Sequence, residues 1–463
     1  MRYISTRGGV QPVGFAEAVM MGLATDGGLL LPERIPTIAA PTWRQWATLS
    51  FQDLAMEVMA PFVGEAIPAA DLQNLITRSY ATFSHPDITP VVTVGSRHVL
   101  ELFHGPTLAF KDVALQFLGN LFAYLLARSG GRLNILGATS GDTGSAAIHG
   151  VRGKERIHIF IIHPHGRVSP IQERQMTTVL DANVHNIAVQ GDFDDGQRIV
   201  KALFNDLEFK NAFQLGAVNS INWARILAQI VYYVYAWGRV SGGDTGRAVT
   251  FSVPTGNFGD IFAGYMARRM GLPIRRLILA TNRNDILTRF MATGVYQTGQ
   301  VIPTISPSMD IQVSSNFERY LYYLFAADTA RVHASMESLA RTGRFQVTAA
   351  EQATAAREFP AMAASETATT QQIRDTFARY RYLLDPHTAV GFHAAQAEEG
   401  PVICLATAHP AKFAEAVAQA IGHPPELPAA FAGIMDLPTR CQVLPADADA
   451  VRRFMAETME NVG

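Results

Sequence analysis

A chain of 463 residues is long enough for a large core and for two or three domains. Hydrophobic residues make up 48% and charged residues only 17%, which excludes a disordered chain and fits a large buried interior. The balance of 38 Lys and Arg against 40 Asp and Glu leaves a formal charge of -2, so no global field draws the chain to nucleic acid or to an anionic membrane. Two cysteines, Cys404 and Cys441, exclude a disulfide framework, a four-cysteine zinc site and an iron–sulfur cluster held within the chain. A reducing cytoplasm is the expected location. The opening residues Met1 to Thr6 carry no apolar signal-peptide core. The most apolar stretch, Ile226 to Trp237, is too short to span a bilayer and is expected to be a buried helix.

In chain order, residues 1–90 show turn signals at Asp26–Gly27–Gly28, Pro32, Pro36 and Pro41, then helical patterning around Trp43 to Ala60 and Ala70 to Phe83. This predicts a small, mostly helical N-terminal domain that ends near His85–Pro86 and Thr89–Pro90. From about residue 91 strands and helices alternate. The strands are Val99 to Phe103, Leu133 to Leu136, Ile157 to Ile162 and Val184 to Val189. The helices are Asp112 to Arg128, one from about Thr143, Ser169 to Leu180, Phe193 to Asn205 and Ile221 to Trp237. A second run begins at the strand Val249 to Val253, with the helix Phe262 to Met270 and the strand Leu277 to Ala280. Helical stretches follow near 316–342 and 350–380, and the strand Val402 to Ala406 comes late. Such alternation predicts an α/β fold with mostly parallel sheets covered by helices. The expected division is 1–90, 91–240 and 241–463.

Three loops stand where a parallel sheet binds ligands, beyond the carboxyl ends of strands. Ala138–Thr139–Ser140–Gly141–Asp142–Thr143–Gly144 opens a helix, where free N–H groups suit an anion. A capped strand-to-helix turn with Asp142 or Thr143 as N-cap is the plain alternative. Pro254–Thr255–Gly256–Asn257–Phe258–Gly259–Asp260 suits a phosphate cradle, or a turn with Asn257 left-handed. It lacks the Gly-Lys-Ser/Thr ending of an ATP loop and the GxGxxG spacing of a dinucleotide site. Thr407 closes the strand from Val402, where a Thr is usually a turn or cap residue.

Lys111 is the focus of the chemistry. The chain has only five lysines, so arginine carries its solvated positive charge. Lys111 sits in Leu102–Phe103–His104–Gly105–Pro106–Thr107–Leu108–Ala109–Phe110–Lys111–Asp112, in apolar company apart from Asp112, as the chain enters a helix. Burial disfavours an ammonium, which makes such a lysine a candidate Schiff-base amine. The alternative is a surface lysine paired with Asp112. His163–Pro164–His165 has no accompanying metal-ligand spacing, so no metal is expected. No Gly-x-Ser-x-Gly elbow anchors a hydrolase triad.

Together these segments resemble the threonine synthase family, pyridoxal-phosphate (PLP) enzymes of the tryptophan-synthase-β-like fold. The likeness runs from Tyr3–Ile4–Ser5–Thr6–Arg7–Gly8 and Asp26–Gly27–Gly28–Leu29, through the lysine segment and the Ser140–Gly144 loop, to Asn219–Ser220–Ile221–Asn222–Trp223–Ala224–Arg225. It continues in the Gly256 loop, Asp385–Pro386–His387–Thr388–Ala389–Val390–Gly391 and the Thr407 segment. The long N-terminal region resembles the bacterial and fungal branch. The resemblance implies two PLP-binding α/β domains behind the N-terminal one, with Lys111 carrying PLP as a Schiff base. It also implies that Gly256, Asn257, Phe258 and Asp260 form the cofactor loop, and that Asp142 faces the PLP 3′-oxygen. Thr407 would meet the pyridine nitrogen, where a hydroxyl instead of a carboxylate leaves that nitrogen less protonated. Ser140 and Thr143 would hold the substrate carboxylate. Arg167, Ser169, Asn222 and Arg225 are candidates for the substrate phosphate, against plain surface charge for Arg167 and an exposed helical turn for Arg225.

The implied reaction turns O-phospho-L-homoserine and water into L-threonine and phosphate, with Lys111 as the base at Cα. Protons leave Cα and Cβ, phosphate leaves Cγ, water adds to Cβ, and Cα and Cγ are reprotonated, with the departing phosphate as a proton shuttle. Two rivals share the fold: a PLP lyase that releases 2-oxobutyrate, and a catalytically silent binding protein. The expected partner is the small-molecule substrate, with no nucleic acid or membrane, in a monomer or homodimer.

Overall fold

The computed structural model describes residues 1–460. The chain packs as two compact units. One comprises Met1–Ala114 with Ser220–Glu426, the other Leu115–Asn219 with the chain from Leu427.

The first unit is built on a six-stranded sheet, in the order Ala361–Ala363, Ile274–Thr281, Val249–Pro254, Val402–Ala406, Arg97–Glu101, Val91–Val94. All neighbours run parallel except the last pair. Val249–Pro254 and Val402–Ala406 are buried at every position, as strands covered on both faces are. One covering element is the helix Trp223–Ser241, in which every residue but Arg239 is buried. A helix enclosed on nearly every side belongs inside a protein, and this one stops at Gly242 in the left-handed conformation, φ 66°. Among the described residues no helix is long and apolar enough to cross a membrane.

The N-terminal region is largely helical, with helices Phe15–Met21, Ala40–Trp46, Phe51–Val63 and Ala69–Tyr80. It also holds a three-stranded antiparallel sheet, Val13–Gly14, Arg2–Ser5, Leu30–Pro32, which the sequence does not announce. Strands of two to four residues are too short to set up a readable alternation.

The second unit has an all-parallel five-stranded sheet, in the order Gln442–Pro445, Val184–Gln190, Ile157–Pro164, Leu133–Ala138, Leu215–Gly216. Helices Asp142–Val151, Pro170–Thr177, Phe193–Asn205 and Ala448–Glu460 belong to it. Phe193–Asn205 starts on a full capping box between Asp192 and Asp195.

This grouping differs from the consecutive segments 1–90, 91–240 and 241–463, and the strand pairing explains why. Arg97–Glu101 lies parallel to Val402–Ala406, so the approach to Lys111 belongs to the sheet that carries the Gly256 loop. Gln442–Pro445 lies parallel to Val184–Gln190, so the C-terminal stretch joins residues 115–219. Pairings across such separations leave no local signal.

Candidate active site

In the first unit, adjacent parallel strands end in the loops singled out from sequence. Pro254 leads to Gly256, Ala406 to Thr407, and Glu101 to the Lys111 segment. The Lys111 and Thr407 segments are bonded through their backbones. Leu102 N–H donates to Ala406 O at 3.0 Å, Phe110 N–H to Thr407 O at 2.8 Å, and His409 N–H to Leu108 O at 3.0 Å. Leu108 takes a left-handed φ of 60° to make the turn.

Lys111 is the first residue of the helix Lys111–Ser129 and is 9% exposed. Its Nζ lies 4.7 Å from the centroid of the Phe110 ring. Asp112 does not lie at the surface. Asp112 is fully buried and accepts from Thr107 N at 2.8 Å and Thr107 Oγ1 at 2.7 Å. Burial pushes its carboxyl up to about 6, against the opposing pull of those bonds. A Cβ on Gly105 would stand 2.4 Å from Asp112 Cβ, so only glycine fits there. Lys412, also buried, donates from Nζ to Thr107 O at 2.7 Å.

The Gly256 loop is held from behind by residues 308–316. Ser314 Oγ donates to Gly256 O at 2.7 Å, and Asn316 donates to Asn257 O from its backbone at 3.0 Å and from Nδ2 at 3.1 Å. The two groups of a trans peptide point opposite ways, so tying back these carbonyls turns the N–H groups of Asn257 and Phe258 to the other side. A Cβ on Gly256 would meet Ser308 O at 2.9 Å. Phe258, left-handed at φ 63°, precedes the helix Gly259–Arg269, whose start has no side-chain cap. An uncapped helix start behind turned-out N–H groups can serve as an anion cradle.

Phe258 contributes only backbone to that cradle. Its ring is 1% exposed and packs on Phe317, Tyr320 and Phe359. The Asp260 carboxylate is also turned aside, accepting from Tyr232 OH at 2.6 Å and Tyr233 OH at 2.9 Å through Oδ1. Its Oδ2 is buried without a hydrogen-bond partner. Burial pushes this carboxyl up to about 6, while the tyrosine hydroxyls and then Lys111 pull it down.

Thr407 is 6% exposed and is positioned by the Asp385–Thr388 motif. Its N–H donates to Thr388 Oγ1 at 3.2 Å, and Thr388 Oγ1 donates to Asp385. Asp385 also caps the helix Pro386–Ala394 and accepts from His387 Nδ1 at 2.9 Å. Ser308 N–H donates to His387 Nε2 at 3.2 Å, which fixes the proton on Nδ1. One buried histidine thus joins the support of the Gly256 loop to that of Thr407.

Arg225 is 3% exposed, not on an exposed turn. Its Nε and Nη1 are buried without a hydrogen-bond partner, and burial lowers its guanidinium to about 10. A buried guanidinium with unused donors can receive an anion. Asn222 is committed to structure. Its Oδ1 caps Ala224 N at 3.1 Å and its Nδ2 donates to Val19 O at 2.8 Å.

In the second unit, Thr139 Oγ1 accepts from Gly141 N at 3.0 Å and Gly144 N at 2.9 Å, which folds the Ser140–Gly144 loop. A Cβ on Gly144 would stand 2.4 Å from Thr139 Cγ2. Ser140 is exposed, Thr143 half-buried and Asp142 buried at the start of the helix Asp142–Val151. Gln172, unremarked in the sequence, orders two predicted residues. Its Nε2 donates to Asp142 Oδ1 at 2.7 Å and its Oε1 accepts from Ser169 Oγ at 2.8 Å. The Ser-x-x-Gln spacing from Ser169, a capping signature, was the available signal. Ser169 is the N-cap of the helix Pro170–Thr177, and Arg167 is exposed. Among the described residues no group of three or more His, Cys, Asp or Glu could hold a metal, and His163 is buried in the sheet.

A buried lysine and a buried threonine on backbone-bonded segments, with turned-out N–H groups at a helix start in the same unit, fit an aldehyde cofactor that carries a ring nitrogen and a phosphate. Fold and site define a PLP-dependent enzyme. Family profiles described as "Threonine synthase N terminus", "Pyridoxal-phosphate dependent enzyme" and "Threonine synthase, C-terminal" match residues 2–80, 98–362 and 388–455. A threonine synthase of Pseudomonas aeruginosa is 48% identical, over 99% of this chain and 98% of its own. The PLP-bound threonine synthase of Brucella melitensis has a TM-score of 0.96 at 47% identity, and the yeast enzyme 0.94 at 44%, each covering 99% of both chains. The chain belongs to the threonine synthase family, and its cofactor is PLP.

Proposed function

We propose that the chain converts O-phospho-L-homoserine and water into L-threonine and inorganic phosphate, with the site residues in the following roles. The observation that carries this reading is the set of Lys111, Thr407 and the Gly256 cradle on neighbouring strand ends, two of them backbone-bonded to each other. Lys111 Nζ holds the cofactor. The backbone N–H groups of the Gly256–Asp260 loop would hold its phosphate, Thr407 Oγ1 would meet its ring nitrogen, and Asp142 would face its 3′-oxygen. When bound, PLP supplies an electron-withdrawing ring that eases loss of a proton from the carbon beside the substrate amine.

The remaining chemistry falls to the chain's own groups. The Lys111 Nζ, when not bonded to the cofactor, would take the proton from Cα and return one there, favoured by tethering and by exclusion of water. Ser140 and Thr143 hold the substrate carboxylate. Arg225 takes the substrate phosphate, since its buried donors have no carboxylate to satisfy them. Asn222 fixes the first turn of the Arg225 helix, and Arg167 and Ser169 remain secondary candidates for the phosphate. Bond by bond, protons leave Cα and Cβ, phosphate leaves Cγ, hydroxide from water adds at Cβ, and protons return to Cα and Cγ.

The test is to incubate the PLP-loaded protein with O-phospho-L-homoserine and quantify threonine, phosphate and 2-oxobutyrate. Threonine equimolar with phosphate is the expected result. Phosphate with 2-oxobutyrate would make the chain a phospho-lyase, and no turnover would leave a binding protein.

A further inference from the structure

We infer that Asn316 and Arg319 are positioning residues that set the cofactor loop from the N-terminal sheet, an inference that rests on the PLP reading above. Both side chains are fully buried. Among the described residues, the hydrogen bonds of Arg319 run to neutral oxygens. Nε and Nη2 donate to Leu30 O at 3.1 and 2.9 Å, Nη2 donates to Ile221 O at 2.6 Å, and Nη1 donates to Asn316 Oδ1. Leu30 belongs to the N-terminal sheet, and Ile221 to the turn before the Arg225 helix.

A guanidinium can only donate and a carbonyl can only accept, so the Asn316 amide has a single orientation. Oδ1 must face Arg319. Nδ2 is then left to donate to Ser220 O at 3.2 Å and Asn257 O at 3.1 Å, beside the backbone bond to the same Asn257 oxygen at 3.0 Å. These bonds hold the Asn257–Phe258 peptide, so they set the direction of the Phe258 N–H in the cradle. A Cβ on Gly259 would lie 3.2 Å from Asn316 Nδ2, so the amide also sits against the start of the cradle helix. Packing alone does not call for this arrangement, because apolar side chains of similar volume fill such a space without burying an ion. What an apolar pair cannot do is orient the amide. The N-terminal strand, the Arg225 turn and the cofactor loop therefore share one buried cation.

Two variants of the full chain separate positioning from stability. Asn316→Asp keeps the shape and gains an ion pair with Arg319, but loses both Nδ2 donors and sets an oxygen against Asn257 O. Arg319→Lys keeps the charge but not the planar fork that reaches three acceptors. Each is stripped of cofactor and titrated with PLP by Schiff-base absorbance, alongside wild type, with thermal midpoints and kcat at saturating PLP. Asn316→Asp is expected to raise the PLP dissociation constant about tenfold or more. Its midpoint should stay within about 3 °C of wild type. Arg319→Lys should shift PLP affinity in the same direction, which excludes the new carboxylate as the cause. Wild-type PLP affinity in folded Asn316→Asp would overturn the inference, as would losses of affinity that only track losses of stability. A wild-type protein that neither binds PLP nor forms threonine would defeat the proposed function instead.

Discussion

Lys111 and Arg225 are both buried basic residues, and their surroundings assign them different work. Lys111 stands at a helix start next to the backbone of Thr407, whereas Arg225 lies within a buried helix with two donor groups unused. Arg225→Ala should raise KM for the phosphorylated substrate about 10–100-fold while the PLP absorbance stays intact. Loss of the absorbance would show that Arg225 supports the fold or the cofactor instead. Asp112 gives a pH prediction. Its folded-state carboxyl is raised from 3.8 to about 6 by burial, so the folded state takes up a proton before the unfolded state does. Wild type should therefore gain stability relative to Asp112→Asn as pH falls from about 7 to 4, by on the order of 2–3 kcal/mol. Denaturant unfolding of both proteins across that range checks it, and a flat difference would show that burial does not raise the Asp112 carboxyl. Lys111 was legible because lysine is rare in this chain and its segment is apolar. Asn316, Arg319 and Gln172 were not, because a single amide or arginine acquires meaning only from the carbonyls that the fold brings to it.

At the scale of elements, the strand ends and helix starts follow from pattern. The largely apolar strands Val249–Pro254 and Val402–Ala406 and the helix Trp223–Ser241 are plain in the sequence, and the loops after the strands carry the proposed site residues. The loop glycines were legible as turn residues, but their reason was not. Gly256 is small because Ser308 O closes on it, and Gly144 because Thr139 does. Gly256→Ala should weaken PLP binding about tenfold with a small change in melting temperature, since the cradle shifts by tenths of an ångström while the core stays packed. A PLP titration checks this, and unchanged affinity would mean that the loop binds the cofactor from another direction. The helix start at Phe258 shows the same limit of reading. Sequence allows Asn257 to be left-handed, yet Phe258 takes that conformation because its ring is locked among Phe317, Tyr320 and Phe359.

For the molecule as a whole, the α/β class was readable and the grouping of segments was not. Periodicity reports which face of an element is buried, and it does not report which distant strand lies alongside. The N-terminal sheet is joined to the helix Phe317–Leu324 by Glu318, which accepts from Thr6 Oγ1 at 2.6 Å and from Arg7 Nε and Nη2 at 3.0 and 2.9 Å. Glu318→Ala removes three bonds to a buried carboxylate and should cost about 2–4 kcal/mol. Thermal and denaturant unfolding would register that loss. An unchanged midpoint would mean that the N-terminal sheet is held by its apolar contacts alone.

The most direct test of the central claim is to reduce the PLP-loaded protein with borohydride and map the modified peptide. The five lysines, Lys111, Lys154, Lys201, Lys210 and Lys412, make the outcome discrete. The expected product carries the pyridoxyl group on Lys111 alone. Label on the buried Lys412 or another lysine, or no label on a protein that still makes threonine, would contradict the site described above.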